Sequence, residues 1–327
     1  MSKIRTFLLP KILLLFVAFL LGSASTARAQ IAFDSAASGS GNGTTLSWSH
    51  TVGSGNNRIL VVSLAISVFS PYPPATSVTY GGQPLTRQVL NGGNTPISEI
   101  WSLVAPPAGT APIVVTHSSN VFIVGGSMSF AGVDQASPIR ASNQERSTFT
   151  IIIGTISTTV TSNTGDVVID ALAAANGPDP SGTPEAGQTL RWTGSILAVF
   201  SGGSTKQGDA GATTMTWNVV SGGTEFPANY ALSAISLIPA RLSPQQIIEN
   251  LVETIRAYSP RLQQGIENTL LSKLNNALAL AEGDTGGARN LVQAFISEVE
   301  AQQGKKISEA RADELIAAAN EVLAALR

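Results

Sequence analysis

Few side chains in this sequence are suited to nucleophilic or metal chemistry. The chain has two histidines, His50 and His117, and no cysteine, so thiolate metal sites are excluded. Neither a His-Glu-x-x-His zinc motif nor a Gly-x-Ser-x-Gly nucleophile motif occurs. A catalytic triad built from distant residues, such as His50 with Asp134 and one of many serines, stays open, because its geometry is not visible in a sequence.

Glu99 and Trp101 form a candidate ligand-binding pair. They are two residues apart in a predicted strand, so their side chains point to the same side. An acid beside an indole suits contact with a sugar, and many glycosidases use two acidic groups around the scissile bond. Alternatively, Glu99 lies at a sheet margin and Trp101 packs in the core, as large aromatic side chains commonly do.

Asp166 and Asp170 are the candidate metal ligands. Their spacing of four places both on one face of a strand. Together with loop carbonyls they could bind a calcium ion, the one cofactor that the sequence suggests. The competing interpretation makes Asp166 a turn residue after Gly165 and Asp170 a solvated strand position.

The third candidate for ligand contact is a tryptophan. The chain has four, Trp48, Trp101, Trp192 and Trp217. Trp48 and Trp217 share their strand faces with other apolar residues, which predicts burial. Trp192 is flanked by Arg191 and by polar residues, and we expect it to be the most exposed of the four.

The elements that must position these residues change character near residue 241. Residues 30–240 contain 16 charged side chains, whereas the shorter segment 241–327 contains 20. We expect a signal peptide at 1–29, an antiparallel, jelly-roll-like β-sandwich domain at 30–240 and a four-helix module at 241–327. The predicted fold class is therefore multidomain and mainly β.

Alternation of apolar and hydroxyl residues predicts about a dozen short strands in the first domain. Leu46, Trp48 and His50 share one strand face, and serine or threonine occupies the other. The pair Gly81-Gly82 predicts a tight hairpin turn, since glycine accepts positive φ angles. Many short strands at regular spacing are typical of a sandwich or barrel.

Four segments of this domain resemble a β-sandwich repeat of bacterial exported proteins: Leu46–Val52, Val78–Gly82, Glu99–Gly109 and Phe130–Gln135. The resemblance covers nearly all of residues 31–239. It implies a sandwich fold and export, and it brings no activity with it.

Helical periodicity and capping signals mark the C-terminal module. Ser243-Pro244 followed by Gln246 is a capping-box sequence, and apolar stripes at spacings of three and four then predict four amphipathic helices. Gly304 fits a left-handed helix end, and Ser308 can cap the fourth helix. Four short helices with brief connections predict a compact bundle.

The C-terminal module resembles the FIMAH-type helical module. The segments Phe295–Gln302, Gly304–Ser308 and Ala312–Ile316 carry the resemblance, which covers almost the whole unit. Such modules occur at the ends of many bacterial secreted and surface proteins, some of them hydrolases. The resemblance implies an accessory role with a protein partner and no catalytic residue.

The N-terminal segment has the features of a secretory signal peptide. Lys3, Arg5 and Lys11 precede the apolar run 12–21, and Ala27-Arg28-Ala29 predicts cleavage after Ala29. The run is short for a membrane span, although an uncleaved anchor is the alternative. We therefore expect a secreted protein, in the periplasm or outside the cell, without a membrane segment after cleavage.

Charge and composition narrow the function. Residues 30–327 contain 15 Lys+Arg against 21 Asp+Glu, and an acidic chain without a basic stripe argues against nucleic acid as a partner. We expect a non-catalytic protein whose sandwich serves binding or adhesion to a polysaccharide or another cell-surface component. One alternative is a glycan-active hydrolase or lyase with Glu99 or Asp134 as acid, and another is a structural component of the cell envelope.

Overall fold

The computed structural model describes residues 28–67, 73–149, 153–175, 180–220 and 228–326. It confirms the expected fold class, with 53% strand, 24% helix, antiparallel sheets and four C-terminal helices. The chain forms two compact units that divide between Leu242 and Ser243. The predicted signal peptide lies almost wholly outside the described residues, and in the described part no helix has the length and hydropathy needed to cross a membrane.

The β unit contains fifteen described strands: β1 (Ala32–Val52), β2 (Ile59–Ser67), β3 (Ser77–Tyr80), β4 (Gln83–Pro84), β5 (Thr86–Asn91), β6 (Ile97–Val104), β7 (Gly109–Ala131), β8 (Ile139–Phe149), β9 (Ile153–Ser162), β10 (Val167–Ala175), β11 (Ser181–Pro184), β12 (Thr189–Ile196), β13 (Val199–Gln207), β14 (Gly211–Val220) and β15 (Ala228–Leu237). The predicted turn at Gly81-Gly82 is confirmed, because both glycines have positive φ between β3 and β4.

The first sandwich is one sheet that folds over on itself. Strands β1 and β7 pair along nearly their whole length, with a register shift after Gly43. Strands β2, β6 and β5 extend the sheet from residues 122–130 of β7, whereas β3 and β4 extend it from residues 113–116. The two halves face each other across a core that includes Trp48, Leu64 and Ile113.

The second sandwich repeats this arrangement with separate strands. Its larger sheet has the order β12-β13-β10-β15-β8 and its smaller sheet the order β11-β14-β9. When each half of β1 and of β7 is counted as a strand, the first sandwich has the same order, β5-β6-β2-β7-β1 with β3-β7-β1. The β unit is therefore two jelly-roll-like sandwiches in tandem, which extends the expectation of a single one.

The larger sheets of the two sandwiches pack face to face. Their shared core includes Ile59, Met128, Ile169 and Trp192. Gly126 on β7 makes this close approach possible, because a Cβ atom there would lie 1.9 Å from Cε2 of Trp192. The absence of a side chain at this position is thus a packing requirement.

Replacing Gly126 with alanine should force the two sandwiches apart. A rigid indole has no room to move, so we expect a loss of about 2 kcal/mol in the free energy of unfolding. Urea unfolding followed by tryptophan fluorescence measures this loss of stability, since all four tryptophans lie in the β unit. Gly41→Ala is the matched control: its Cβ meets one flexible leucine methyl at 3.1 Å. Equal stability of the two variants would contradict this packing.

The helical unit consists of α1 (Pro244–Ala257), α2 (Gln264–Leu280), α3 (Thr285–Gln302) and α4 (Glu309–Ala325). The predicted capping box is present: the backbone N–H of Gln246 donates to the hydroxyl of Ser243, and the backbone N–H of Ser243 donates to the side-chain amide oxygen of Gln246. Ser308 is the N-cap residue of α4 without a side-chain cap bond, and Gly304 has positive φ as predicted.

Candidate functional site

A group of hydrogen-bonded polar side chains surrounds His50 in the first sandwich. Strand β1 supplies His50 near its end and Ser35 near its start, and β7 supplies Ser127 and Ser129. Strand β1 runs through both halves of the folded sheet, so its first and last residues lie close together. A register shift at Asp34 lets its carboxylate accept hydrogen bonds from the hydroxyl of Ser129 at 2.7 Å and the backbone N–H of Gly53 at 2.6 Å.

The hydrogen bonds fix where the protons of this cluster lie. The hydroxyl of Ser129 donates to the carboxylate of Asp34, and the hydroxyl of Ser35 donates to the carbonyl of Thr51. Nε2 of His50 lies 3.1 Å from the oxygen of Ser129 and 3.2 Å from that of Ser35, so the ring must be the donor there. Nδ1 then accepts from Ser127, whose oxygen lies 2.9 Å away.

His50 is consequently a neutral ring with its proton on Nε2. Burial lowers the pKa of His50 to about 4, although the nearby Asp34 opposes the shift. The free nitrogen, Nδ1, faces the hydroxyl of Ser127, as a general base faces its nucleophile, but Ser127 is 0% exposed and also accepts the indole N–H of Trp48. The carboxylate also contacts a serine rather than the ring, so the order of the groups is not that of a catalytic triad.

The aspartate in this cluster is Asp34 and not Asp134, the residue considered as a triad partner of His50. Asp134 instead accepts the backbone N–H groups of Ala136 and Ser137 in a tight turn. Asp34, Ser35, Ser127 and Ser129 were missed because they converge only when β1 bends back beside β7. The local signal was limited to the spacing of Ser127 and Ser129, which share a strand face.

Glu99 and Trp101 point to the same side of β6, as predicted, and into the core. Glu99 is 0% exposed, so its expected position at a sheet margin is wrong, whereas the core packing of Trp101 is confirmed. One oxygen of Glu99 accepts the backbone N–H of Ala75 at 2.8 Å and the other the indole N–H at 2.7 Å. Burial raises its pKa, which suits an acid catalyst, yet neither oxygen faces an open cleft.

Asp170 occupies the centre of the second sandwich. It is 0% exposed, which corrects the expectation of a solvated position. Its oxygens accept the indole N–H of Trp217 at 2.7 Å, the backbone N–H of Ser204 at 2.8 Å, the Ser204 hydroxyl at 2.9 Å and the amide of Gln188 at 3.2 Å. Burial raises the pKa of Asp170 to about 7 against these four hydrogen bonds.

Asp166 lies in the turn after Gly165, just before β10, which confirms the competing interpretation of this residue, and it shares no partner with Asp170. It accepts two hydrogen bonds from the guanidinium of Arg140, one from the hydroxyl of Ser236 and one from the backbone N–H of Asn163. Both carboxylates are therefore surrounded by donors, which repel a cation. Across the residues that the structure describes, no group of three or more His, Asp or Glu could hold a metal ion.

Trp192 lies in the core between the two sandwiches. It is 5% exposed, so the expectation that it would be the most exposed tryptophan is wrong. Its ring covers Gly126 on one side and Gly203 on the other. Because the indole is enclosed by backbone, it presents no face to a sugar.

His117 is buried without any hydrogen bond. It is 4% exposed, and among the described residues neither ring nitrogen has a partner. Burial lowers the pKa of His117 to about 4. The ring is thus held neutral in an apolar setting.

The outermost sheet of each sandwich presents uncharged hydroxyl groups to solvent. We call these surfaces the outer hydroxyl faces. Exposed side chains of the first include Thr45, Ser47, Ser49 and Thr51, and those of the second include Thr155, Ser157, Thr159, Thr161 and Thr214. Hydroxyls bond across strands, from Thr51 to Thr110 at 2.7 Å and from Thr159 to Thr214 at 2.8 Å.

Neither a scan against protein-family models nor a search of the curated proteins found a match for this chain.

Proposed function

We propose that this protein is a secreted bacterial, non-catalytic binding protein. Its β unit would attach to a polysaccharide or another hydroxylated cell-surface component, and its helical unit would serve as an accessory module for a protein partner. The outer hydroxyl faces carry the proposal. Each serine or threonine hydroxyl can both donate and accept, which is what the hydroxyls of a sugar chain require.

The internal use of ionisable groups supports a non-catalytic role. Glu99, Asp166 and Asp170 accept hydrogen bonds from groups of the fold itself, and the free nitrogen of His50 accepts from the buried Ser127. General acid–base catalysis needs such groups within reach of a substrate. Here they connect strands and sheets to each other.

A combined binding and turnover experiment tests this function. We expect the protein to be retained on at least one insoluble polysaccharide of a panel without releasing reducing sugar. A lysine on each outer hydroxyl face, Ser49→Lys and Thr159→Lys, should weaken retention, because it adds charge and bulk to the contact surface. Ser297→Lys, the same kind of change at an exposed position of α3 outside both faces, is the matched control.

Two results would replace the proposal. Sugar release that disappears in Glu99→Gln would identify a glycan-active enzyme. Self-association in light scattering, without retention on any polysaccharide, would favour a structural component of the envelope.

A further inference from the structure

A small pocket contains the guanidinium group of Arg191, which forms no ion pair with any carboxylate of the described residues. The pocket has a volume of about 120 Å³, and its lining includes Phe33, Thr189, Arg191, Thr205 and Lys206. It lies where the first strand of one sandwich meets the edge strand β12 of the other. None of the tryptophans or acids considered from the sequence belongs to it.

Arg191 is held in place but only partly satisfied. Its guanidinium carbon lies 4.0 Å from the centroid of the Phe33 ring, and its Nε donates to the hydroxyl of Thr205 at 2.8 Å. Its two terminal nitrogens have no hydrogen-bond or ion-pair partner among the described residues. Stacking on Phe33 and the hydrogen bond to Thr205 fix the orientation of the guanidinium. Its two terminal nitrogens can therefore donate to a planar or tetrahedral oxyanion.

The charge of Arg191 favours an anion. Lys206 also lines the pocket, but its ammonium donates to the carbonyl of Thr214 at 3.4 Å and lies 4.0 Å from the carboxylate of Asp209, so its contribution to anion binding is small. The site is locally positive on a chain whose formal net charge is −2. Partial burial strengthens the attraction, because fewer water molecules screen the guanidinium.

We propose that this pocket binds the carboxylate or sulfate group of an acidic polysaccharide. The volume admits one such group, and the rest of the sugar would extend over the rim, where Thr189 offers a hydroxyl. A single site of this kind binds weakly, and repeated anionic groups along a polymer raise the apparent affinity. This inference rests on the proposed function as a binding protein and names the class of polymer.

Isothermal titration of the full chain at low salt tests the pocket with four probes: an oligogalacturonate, a sulfated dextran oligomer, the unsulfated dextran oligomer and an acidic peptide. We expect at least one anionic sugar to bind about 10-fold more tightly than neutral dextran. Arg191→Gln should abolish this preference, and Arg191→Lys should retain part of it, because lysine keeps the charge without the fork. Arg241→Gln, an equal charge change at an exposed site outside the pocket, should have no effect.

The possible outcomes separate the two proposals. If neutral and anionic oligomers bind alike and Arg191→Gln changes neither, the pocket inference is overturned while polysaccharide binding stands. If galacturonate monosaccharide shifts the NMR signals around Arg191 but no polysaccharide binds, the pocket stands and the proposed function fails. Preferential binding of the acidic peptide also overturns the inference. Should Arg191→Gln fail to fold, the comparison of sulfated with unsulfated dextran on the native protein still decides.

Discussion

Replacing Asp170 with alanine should lower the free energy of unfolding of the β unit by about 3 kcal/mol at pH 7. The substitution leaves the indole N–H of Trp217 and the backbone N–H of Ser204 without their acceptor in a closed core, whereas the amide of Gln188 keeps its bond to the Ser204 hydroxyl. Each buried donor without a partner costs about 1–3 kcal/mol, partly offset by the removal of a costly buried carboxyl. Urea unfolding followed by tryptophan fluorescence gives the value.

Asp209→Ala is the matched control for this prediction. Asp209 belongs to the same sandwich, but its carboxylate is exposed and has only the weak contact with Lys206. We expect a change within about 0.5 kcal/mol for this surface position. Asp170→Asn should lie between the two, since its amide oxygen replaces one of the two acceptor oxygens. If Asp170→Ala were as stable as Asp209→Ala, the carboxylate would not connect the two sheets.

The pH dependence gives a second check on Asp170. Burial raises its pKa from 3.8 to about 7, so between these values the folded protein binds a proton that the unfolded chain has released. The stability linked to this carboxyl is therefore greatest near pH 4 and decreases as the pH rises to about 7. The stability difference between the native protein and Asp170→Asn should shrink over that range, and a difference that grows would contradict the shift.

Local patterns were sufficient to predict the elements. The alternation of Met215, Trp217 and Val219 placed these side chains in the core, where all three are found. The helices could also be predicted from local sequence, because caps and apolar stripes depend on neighbours within a few residues. The four helices consequently follow the predicted stripes, and Pro260, which does not fit inside a helix, lies between α1 and α2.

Contacts between distant strands could not be predicted in the same way. Trp192 has polar neighbours in sequence, which indicates exposure, yet Gly126 and Gly203 form a space for its ring from two other strands. Asp170 likewise looks solvated until β14 and the segment before β12 provide its donors. The second sandwich was missed because it repeats the strand order of the first without an evident repeat of its residues.

His117 should make the β unit sensitive to acid. Burial lowers its pKa from 6.5 to about 4, so between these values the unfolded chain binds a proton that the folded protein excludes. Stability linked to His117 is therefore fully present above about pH 6.5 and is lost as the pH falls towards 4. A shift of this size corresponds to a loss of about 3 kcal/mol.

The substitution His117→Met tests this directly, because methionine has a similar volume and no proton to bind. We expect the variant to be at least as stable as the native protein at pH 7.5, since no hydrogen bond is lost, and more stable by about 3 kcal/mol near pH 4. His50→Gln should also flatten the pH dependence, but it should lose stability at pH 7.5 by disrupting the bonds with Ser127 and Ser129. An unchanged pH slope in His117→Met, measured by urea unfolding from pH 4 to 7.5, would show that the buried ring accepts its proton at no cost.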